Sequence, residues 1–351
     1  MGTIREKLYV MYIIFLIMLI PGIGVAGQTI NIVAYSTFSV AGNGSTNVGV
    51  NYGEIKIGGS YNYVSPSSYG GNNDSNNNII NVSSSVSVYS YIYGGVNYPF
   101  VNSPVAGDAT DVAIIHNITA NNNTVNINSR MNNDVNIYGG YSVLSGAIRN
   151  IVPSGNMLSS TITMSGNTVN VNAQCTVMIV YGAYLYLNPT TDESNAIRVR
   201  SPINMDNNSV NISSSVCAYM LSGAYVSLYN GYGAAFDIPS ISVSGNSINI
   251  SSDVSDNNVS NVNVYAARLM ISNSNDYKPG SSNISTVTVA NNTIILSKSD
   301  LSLPKVNLYG VHYEVPSDVV ENYDVHDNAL YINNAKNVGV KSIHGFDVYR
   351  F

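Results

Sequence analysis

The chain of 351 residues has 10% charged residues, no tryptophan, and 27 tyrosines against 6 phenylalanines. So little charge argues against amphipathic helices with Glu- and Lys-rich faces, whereas Asn, Ser, Val, Ile, Tyr and Gly are typical of β-strands separated by polar turns. The formal net charge is -6, and the sequence has no basic patch of the kind that binds nucleic acid phosphates. We therefore predict an all-β protein with no nucleic acid partner.

Residues 1–26 have the three parts of a secretory signal peptide. Arg5 and Lys7 precede an apolar stretch from Leu8 to Ile20, and Gly24 and Ala26 are small residues before a cleavage site. The alternative is an uncleaved anchor, but the 13 uninterrupted apolar residues are fewer than the roughly 20 that span a bilayer. We therefore expect export and a mature repeat domain of residues 27–351.

A degenerate repeat of 36 to 46 residues covers most of this domain. Each copy opens on an asparagine and continues with alternating apolar and polar residues, as in "NTVNI" at residues 123–127. Seven copies open at Asn78, Asn123, Asn167, Asn208, Asn246, Asn292 and Asn328. The segment "QTINI" at residues 28–32 is an eighth, degenerate copy.

The alternation predicts a first strand in each copy, with the second and fourth residues after the opening asparagine in the core. The residue between them, such as Asn126, faces outward, where stacked amides can form a ladder of hydrogen bonds. The predicted core pairs are Ile80 and Val82, Val125 and Ile127, Val169 and Val171, Val210 and Ile212, Ile248 and Ile250, Ile294 and Leu296, and Leu330 and Ile332.

A second strand follows and reaches a dipeptide of small residues, as in "VNIYGG" at residues 135–140. We interpret the dipeptide as a corner at which the chain leaves on a polar loop. The residues predicted to face the core are Ile92, Ile137, Val180, Val264 and Leu308.

The tyrosine that follows each of these residues is predicted to face outward. Together these tyrosines form a stripe, a candidate binding surface, at Tyr93, Tyr138, Tyr181, Tyr265 and Tyr309. Stacked aromatic residues also stabilise sheets without binding anything. Both interpretations of the stripe stay open at this point.

Such repeats bury their apolar faces only by stacking on one another. We predict a right-handed parallel β-helix of about eight coils, spaced by about 4.8 Å. The alternatives are a propeller or a sandwich, since a period near 40 also suits four-stranded blades. Only two strands are evident in each copy, which favours the β-helix.

Cys175 and Cys217 lie 42 residues apart, almost one repeat. Equivalent residues on adjacent coils are about 4.8 Å apart, inside the roughly 4.4 to 6.8 Å that a disulfide accepts. Export would favour the bond, so the pair is a candidate disulfide. The alternative is two unrelated thiols, because the two positions differ by one residue when counted from their opening asparagines.

The pattern "NNTVNI...VNIYGGYS" and the segment "DNALYINNAKNVGVKSIHGFDVYRF", residues 327–351, resemble autotransporter passenger proteins, the secreted β-helical arms of Gram-negative bacteria. The resemblance covers residues 28–351. It implies a secreted or outer-membrane-associated adhesin or surface-structural passenger, with host or neighbouring-cell surfaces and their glycans as partners. Members of the family continue into a translocator barrel, whereas this sequence stops at Phe351. We therefore expect a truncated or split passenger, or another export route such as a separate translocator.

No group of residues in the sequence indicates catalysis, a cofactor or a metal. The closest acidic pairs are Asp192 with Glu193, Asp253 with Asp256, and Asp324 with Asp327, all in polar stretches typical of turns. The histidines, at spacings that suit neither a metal motif nor a catalytic triad, are His116, His312, His326 and His344. We predict a non-enzymatic surface protein. The alternatives are a secreted polysaccharide lyase or hydrolase and a passenger fragment without independent function.

Overall fold

The strands of successive repeats lie side by side in three parallel sheets. The structure, a computed structural model, describes residues 29–32, 60–64, 68–69, 73–74, 76–82, 87–98, 118–147, 157–158, 161–190, 197–199, 201–230, 234–255, 261–273, 283–298, 300–315, 319–333 and 337–349. Every secondary-structure element in these residues is a strand. The predicted signal peptide lies outside the described residues.

Sheet 1 collects the first strand of each repeat and contains eight strands. They are Thr29–Ile32, Ile79–Val82, Thr124–Ile127, Thr168–Val171, Ser209–Ile212, Ser247–Ile250, Thr293–Leu296 and Ala329–Ile332. Neighbours pair in parallel without a shift, so that Val169 lies beside Val125 and Val210. The predicted core pairs from Ile80 to Leu296 are at most 1% exposed, which confirms the alternation.

The outward asparagines of sheet 1 form the predicted ladder of amide hydrogen bonds, here called the outer ladder. The Nδ2 of Asn126 donates to Oδ1 of Asn81 at 2.8 Å, and the Nδ2 of Asn170 donates to Oδ1 of Asn126 at 2.8 Å. Asn211 and Asn249 continue the series at 2.8 and 2.6 Å. These partly buried bonds run parallel to the backbone ladder and link five successive repeats.

Sheet 2 contains the predicted second strands and has eleven strands. They are Ser60–Val64, Ser68–Tyr69, Ser87–Tyr98, Met131–Ala147, Cys175–Thr190, Val216–Cys217, Met220–Asn230, Val254–Ser255, Val262–Asn273, Asp300–Glu314 and Asn337–Tyr349. The residues predicted to face the core, from Ile92 to Leu308, are at most 1% exposed. The interpretation of the small dipeptide as a strand end was wrong, because the strand through Gly139 and Gly140 continues to Ala147.

Sheet 3 was missed by the two-strand interpretation of the repeat. Its ten strands are Asn73–Asp74, Ile118–Thr119, Met157–Leu158, Ile162–Thr163, Ile197–Val199, Ile203–Asn204, Ala234–Ile238, Ile241–Ser242, Asn283–Ala290 and Val320–His326. Six of them are only two residues long, too short for an alternation to be recognised. The sequence pattern of sheet 3 lies at the residues five and three positions before the opening asparagine. Pairs at these positions, such as Ile203 and Met205, are fully buried.

A sharp corner joins sheet 3 to sheet 1 in each repeat. The residue before every opening asparagine has a positive φ between 53° and 71°. These residues are Asn77, Asn122, Gly166, Asn207, Gly245, Asn291 and Asp327. Glycine, asparagine and aspartate adopt this left-handed conformation more readily than other residue types do, which explains the "NN", "GN" and "DN" pairs in the sequence.

The opening asparagine after this corner points into the protein and forms a second, inner ladder. Its members from Asn78 to Asn292 are fully buried. The Oδ1 of Asn208 accepts hydrogen bonds from the backbone N–H and the Nδ2 of Asn167, at 3.0 and 2.9 Å. Leaving such a buried amide unpaired would cost about 1–3 kcal/mol, so the corner requires asparagine in every repeat.

The apolar interior forms two clusters that share the long strands of sheet 2. One lies between sheet 1 and the first half of each sheet 2 strand, and includes Val169 and Val180. The other lies between the second half of those strands and sheet 3, and includes Ile162 and Leu185. The inner ladder lies where the two clusters meet. The Nδ2 of Asn208 also donates a hydrogen bond, at 2.9 Å, to the backbone carbonyl of Met164, which belongs to the cluster beside sheet 3.

The last repeat exposes positions that are buried elsewhere. Ile332 is 46% exposed and Ile343 is 48% exposed, whereas their equivalents in the preceding repeat, Leu296 and Leu308, are at most 1% exposed. The prediction that Ile332 is a core residue was therefore wrong for this repeat. Within the described residues, no further strand pairs with the outer edge of the last strands in sheets 1 and 2.

The described chain is thus all-β and built from parallel sheets. Strands that are neighbours in a sheet come from successive repeats and run parallel. This argues against the antiparallel propeller and sandwich. The arrangement is compatible with a β-helix or another solenoid.

Candidate binding surface on sheet 2

The predicted tyrosine stripe is a row on the outward face of sheet 2, and we call it the first row. Tyr138 lies directly beside Tyr93 and Tyr181, and Tyr265 lies directly beside Tyr309. Ring centroids are 5.3 Å apart for Tyr93 and Tyr138 and 4.8 Å apart for Tyr265 and Tyr309. The predicted common phase of these residues is confirmed.

The expectation that the first row is exposed requires correction. Tyr93, Tyr138, Tyr181 and Tyr265 point away from the core but are only 4–5% exposed. Tyr138 and Tyr181 are covered by a second row of tyrosines three residues further along the same strands. Tyr93 is covered by Tyr141 of the next strand, and Tyr265 by Arg268. The second row consists of Tyr141, Tyr184 and Tyr225, all partly exposed. The centroids of Tyr138 and Tyr141 are 4.7 Å apart.

The glycines between the two rows explain this contact. In a regular strand, residues three positions apart lie on opposite faces, so Tyr138 and Tyr141 would not meet. Gly139 and Gly140 both face the interior at the inner ladder, where a Cβ on Gly140 would lie 2.7 Å from Nδ2 of Asn167. The strand therefore bends at the glycines toward the outside, and the two tyrosines fold against each other.

Burial keeps the hydroxyl groups of this tyrosine cluster protonated. It raises the pKa of Tyr138, Tyr181 and Tyr184 well above the ordinary range of tyrosine, and neighbouring tyrosines raise it further. The pKa of Tyr265 rises to about 12, first because of burial, while the adjacent Arg268 lowers it. At neutral pH these phenols are donors, as in the hydrogen bond from the Tyr181 hydroxyl to Sδ of Met220 at 3.0 Å.

The first row is interrupted at Ser222, which lies between Tyr181 and Tyr265. Arg268 fills this part of the surface. Its guanidinium carbon is 4.7 Å from the ring centroid of Tyr225 and 5.1 Å from that of Tyr265. At these distances a cation is attracted to the faces of the rings. Arg268 occupies the position of the second row in its own repeat, beside Tyr225.

Two histidines continue the rows in the last repeats. His312 lies beside Arg268 in the second row, and its ring contacts Tyr265 and Tyr309 at 5.5 and 5.8 Å. Its Nε2 is 3.7 Å from Oε2 of Glu314. His344 stacks on Tyr309 with centroids 4.7 Å apart and planes 11° apart. The surface therefore changes from tyrosine to Arg and His along the sheet.

The second row and Arg268 were missed at the sequence level, although the sequence carries a signal. The third residue after each first-row position is Tyr, Tyr, Tyr, Arg and His in successive repeats from residue 138. Those residues are Tyr141, Tyr184, Tyr225, Arg268 and His312. An extended strand would place them on the inner face, so their outward position depends on the bend at the small residues.

Several aromatic side chains of this face are accessible to a partner. Tyr91 is 38% exposed and Tyr229 is 37% exposed. Tyr219, in the short connection before Met220, is 48% exposed. These residues and the partly exposed second row define the accessible aromatic surface of sheet 2. The first row lies beneath it and supports it.

The structure does not join the two cysteines. Their strands are neighbours, but Cys175 lies beside Val216 and Cys217 lies beside Thr176. The offset of one residue turns the side chains to opposite faces, because successive residues of a strand alternate. Cys175 is buried, Cys217 is partly exposed, and both thiols are free. Burial raises the pKa of the Cys175 thiol to about 11.

Three of the six acidic residues weighed as catalytic candidates are described by the structure, namely Asp253, Asp324 and Asp327. The Oδ1 of Asp253 is 3.5 Å from Nζ of Lys298 in the next repeat, a partner that sequence spacing did not indicate. His326 lies between Asp324 and Asp327, with its Nδ1 2.9 Å from Oδ2 of Asp327. That hydrogen bond raises the pKa of the exposed His326. Asp192, Glu193, Asp256 and His116 lie outside the described residues.

The part of the chain that the structure describes consists of strands and the segments that connect them. No three side chains among its His, Cys, Asp and Glu residues come together in a way that would hold a metal ion. It also contains no helix with the length and hydropathy required to span a membrane.

Comparison of the chain with known proteins found no matching family model, no matching curated protein and no matching solved structure. The structure therefore defines the class on its own. It is an all-β repeat protein with parallel sheets, an internal asparagine ladder and an outward aromatic surface.

Proposed function

We propose that this is a non-enzymatic, exported cell-surface protein of the autotransporter-passenger type, an adhesin that binds its partner through the accessible aromatic surface of sheet 2. Export rests on the signal-like residues 1–26, and delivery would use a separate outer-membrane translocator. The observation that carries the binding role is the exposure of Tyr91, Tyr219 and Tyr229 on the same sheet. Aromatic residues with one apolar face and one polar group are typical of binding surfaces.

The proposed architecture is a right-handed parallel β-helix of about eight coils. It is supported by the eight strands of sheet 1, which succeed one another in sequence order. At about 4.8 Å for each coil, this would give a rod of roughly 40 Å. A rod of this kind holds its side chains at fixed spacings, so a partner meets a preorganised surface and loses less free energy to ordering.

The partners we propose are host or neighbouring-cell surfaces, with glycans as the first class to examine. The flat faces of partly exposed tyrosines suit the apolar face of a sugar ring, while the phenol hydroxyls provide hydrogen bonds. The buried first row has a structural role, because it has almost no accessible area. This assignment divides the predicted stripe into a supporting row and a binding row.

The proposal is tested by attaching the exported chain to beads and measuring adhesion to host cells, neighbouring cells and immobilised glycans. The variant replaces Tyr91, Tyr219 and Tyr229 by serine. The matched control is Tyr331→Ser, because Tyr331 is 51% exposed but lies on sheet 1. We expect the triple variant to lose adhesion and the control to retain it. Equal adhesion of both variants would contradict the role of sheet 2.

A secreted polysaccharide lyase or hydrolase is the alternative function. A glycosidase needs two carboxyl groups roughly 5 to 10 Å apart across the scissile bond, and Asp253 with Asp256 is the candidate pair to test. We expect no turnover when the purified chain is screened against plant, bacterial and mucin polysaccharides. Turnover that disappears in the Asp253→Asn, Asp256→Asn double variant would replace the adhesin proposal.

A further inference from the structure

Arg268 occupies an unusual position in the aromatic surface. Its guanidinium contacts the residues that surround Ser222, the position at which the first row lacks a ring. Two of the contacts are the faces of Tyr225 and Tyr265, and the third is Sδ of Met220, 3.6 Å from Nη1. Met220 is buried and fixed by the Tyr181 hydroxyl. The side chain is therefore held in place by packing from three sides.

These contacts stabilise the charge but do not satisfy the hydrogen-bond donors of Arg268. A guanidinium has five N–H donors arranged for planar, bidentate acceptors such as carboxylates. No ion pair joins Arg268 to a carboxylate of the described residues. A thioether sulfur is a weak acceptor, and Nε has no acceptor among the described residues. The donors are thus positioned without a matching anion from within the described part of the chain.

The exposed Tyr219 directly precedes Met220, whose Sδ contacts Arg268. Its backbone carbonyl accepts a hydrogen bond from the backbone N–H of Asn263 at 3.2 Å, which links it to the strand Val262–Asn273 that carries Tyr265 and Arg268. Tyr219 is 48% exposed, and Tyr225 and Arg268 are partly exposed. An accessible ring is therefore joined, through Met220 and Asn263, to the two strands that hold the cation.

We propose that Arg268, Tyr219 and Tyr225 form a subsite for the carboxylate group of an acidic sugar, with the guanidinium binding the carboxylate and Tyr219 stacking on the sugar ring. This inference rests on the proposed function, since it names the class of glycan that the sheet 2 surface binds. An acidic glycan fits the observations better than an acidic peptide. The neighbours of Arg268 are aromatic faces suited to sugar rings, and no second cation of the described residues adjoins it to bind a run of peptide carboxylates.

The surrounding charges indicate weak and salt-sensitive binding. His312 lies beside Arg268 and contributes positive charge only when protonated, whereas Glu314, 3.7 Å from His312, opposes an anion. The chain as a whole has a formal net charge of -6. At about 0.1 M salt, charges more than about 10 Å away are largely screened. Binding of the anion then depends mainly on the guanidinium of Arg268, and a polymer that presents many acidic sugars would bind more tightly than a single sugar.

The probe is polygalacturonate, compared with the same polymer after complete methyl esterification, which keeps the sugar rings but removes the charge. Binding of both polymers is measured by surface plasmon resonance with the exported full chain. The variants are Arg268→Gln, Arg268→Lys and Tyr219→Ala. The matched control is Lys298→Gln, which removes one positive charge in the connection before the strand Asp300–Glu314, where Lys298 pairs with Asp253. Circular dichroism checks that each variant keeps its β structure.

We expect the native chain to bind the acid at least about tenfold more tightly than the ester, the scale of one charged hydrogen-bonding pair. Arg268→Gln should remove this preference while leaving binding of the ester unchanged. Arg268→Lys should retain part of the preference, because it keeps the charge but not the planar fork. Tyr219→Ala should weaken binding of both polymers, and Lys298→Gln should change neither.

Three results would overturn the inference. They are equal binding of acid and ester by the native chain, an unchanged preference in Arg268→Gln, and a preference for sulfated or peptide polyanions over polygalacturonate. In each case adhesion through Tyr91, Tyr219 and Tyr229 could still hold, so the proposed function would survive. Loss of cell adhesion by the Tyr331→Ser control as well as the triple variant would instead count against the proposed function itself.

Discussion

The Oδ1 of Asn167 accepts two hydrogen bonds from Asn123, one from the backbone N–H at 3.0 Å and one from Nδ2 at 2.9 Å. Both residues are fully buried. One amide oxygen therefore satisfies two donors of the preceding repeat, and the same relationship recurs along the inner ladder. The stability of the structure should depend more on this position than on any exposed asparagine.

The first prediction compares the two asparagine ladders. Asn167→Ala leaves two buried donors of Asn123 without an acceptor, and we expect it to lower the free energy of unfolding by about 2–5 kcal/mol. Asn170→Ala removes a partly buried member of the outer ladder, where water can replace the lost partner, and should cost about 1 kcal/mol or less. Urea unfolding followed by far-ultraviolet circular dichroism measures both. Equal losses would show that burial of the inner ladder is unimportant.

The second prediction concerns the bend between the tyrosine rows. A Cβ on Gly139 would lie 3.0 Å from Cβ of Asn167 and closer still to the backbone carbonyl of Gly182. Gly139→Val should therefore destabilise the protein by about 1–3 kcal/mol through overpacking. It should also change the near-ultraviolet circular dichroism of the tyrosines, because the bend sets the contact of Tyr138 with Tyr141.

Gly345→Val is the control for the bend, because a Cβ at Gly345 would meet nothing within 4 Å. We expect it to leave the tyrosine signal unchanged. A native near-ultraviolet spectrum in Gly139→Val would contradict the role assigned to the glycines.

The third prediction is a loss of stability at high pH. Burial raises the pKa of Tyr138, Tyr181 and Tyr184 in the folded state, and raises that of Tyr265 to about 12. Above the ordinary tyrosine pKa of 10.0, the unfolded chain releases these protons while the folded chain keeps them. Stability is therefore fully present below pH 10 and falls as pH rises above it, by up to about 1.4 kcal/mol per pH unit for each such tyrosine.

Absorbance of tyrosinate during an alkaline titration checks this prediction. Tyr138, Tyr181 and Tyr184 should ionise only together with the loss of the β signal, because their pKa values are raised by burial. A single titration of all tyrosines near pH 10 in the folded protein would contradict the burial of the first row.

The fourth prediction distinguishes the two cysteines. Cys175 is buried and its thiol has a pKa raised to about 11 by that burial, whereas Cys217 is partly exposed. In the folded protein under mildly alkaline conditions, a thiol reagent should modify Cys217 and leave Cys175 unreacted, since the thiolate is the reactive form. Peptide mass spectrometry locates the label, and unfolding in urea should make both residues reactive. Two unreactive cysteines recovered as one disulfide-linked peptide pair would overturn the assignment.

Much of the fold could be predicted from the sequence because alternation reports burial directly. Val125 and Ile127 were assigned to the core from their spacing alone, and the outward amide of Asn126 followed from the same period of two. Sheet 3 escaped prediction because its shortest strands are two residues long, and two residues carry no period. The inner ladder was not predicted, because the sequence does not show whether an asparagine that precedes an alternating segment points outward or inward.

The binding surface was predictable only in part. The phase of Tyr138 within its strand placed its ring on the outer face, but no local pattern shows what covers an outward ring. That depends on the bend at Gly139 and Gly140, which brings Tyr141 to the same face. The position of Arg268 depends on this bend and also on Met220 in the preceding repeat, a contact across 48 residues of sequence.

The unshifted pairing of sheet 1 has a consequence for how such a chain can change. Successive opening asparagines are separated by 45, 44, 41, 38, 46 and 36 residues, yet each lies directly over the next in the inner ladder. The variation in length therefore does not reach the strands of sheet 1, whereas in sheet 2 register shifts occur within the paired strands, as between Cys175 and Ile179. Insertions, deletions and even the removal of a whole repeat can alter the protein surface, while each remaining strand of sheet 1 pairs with its neighbours in the same register. The ladder makes the loops independent of one another, so each can diverge toward a new surface without a compensating change elsewhere.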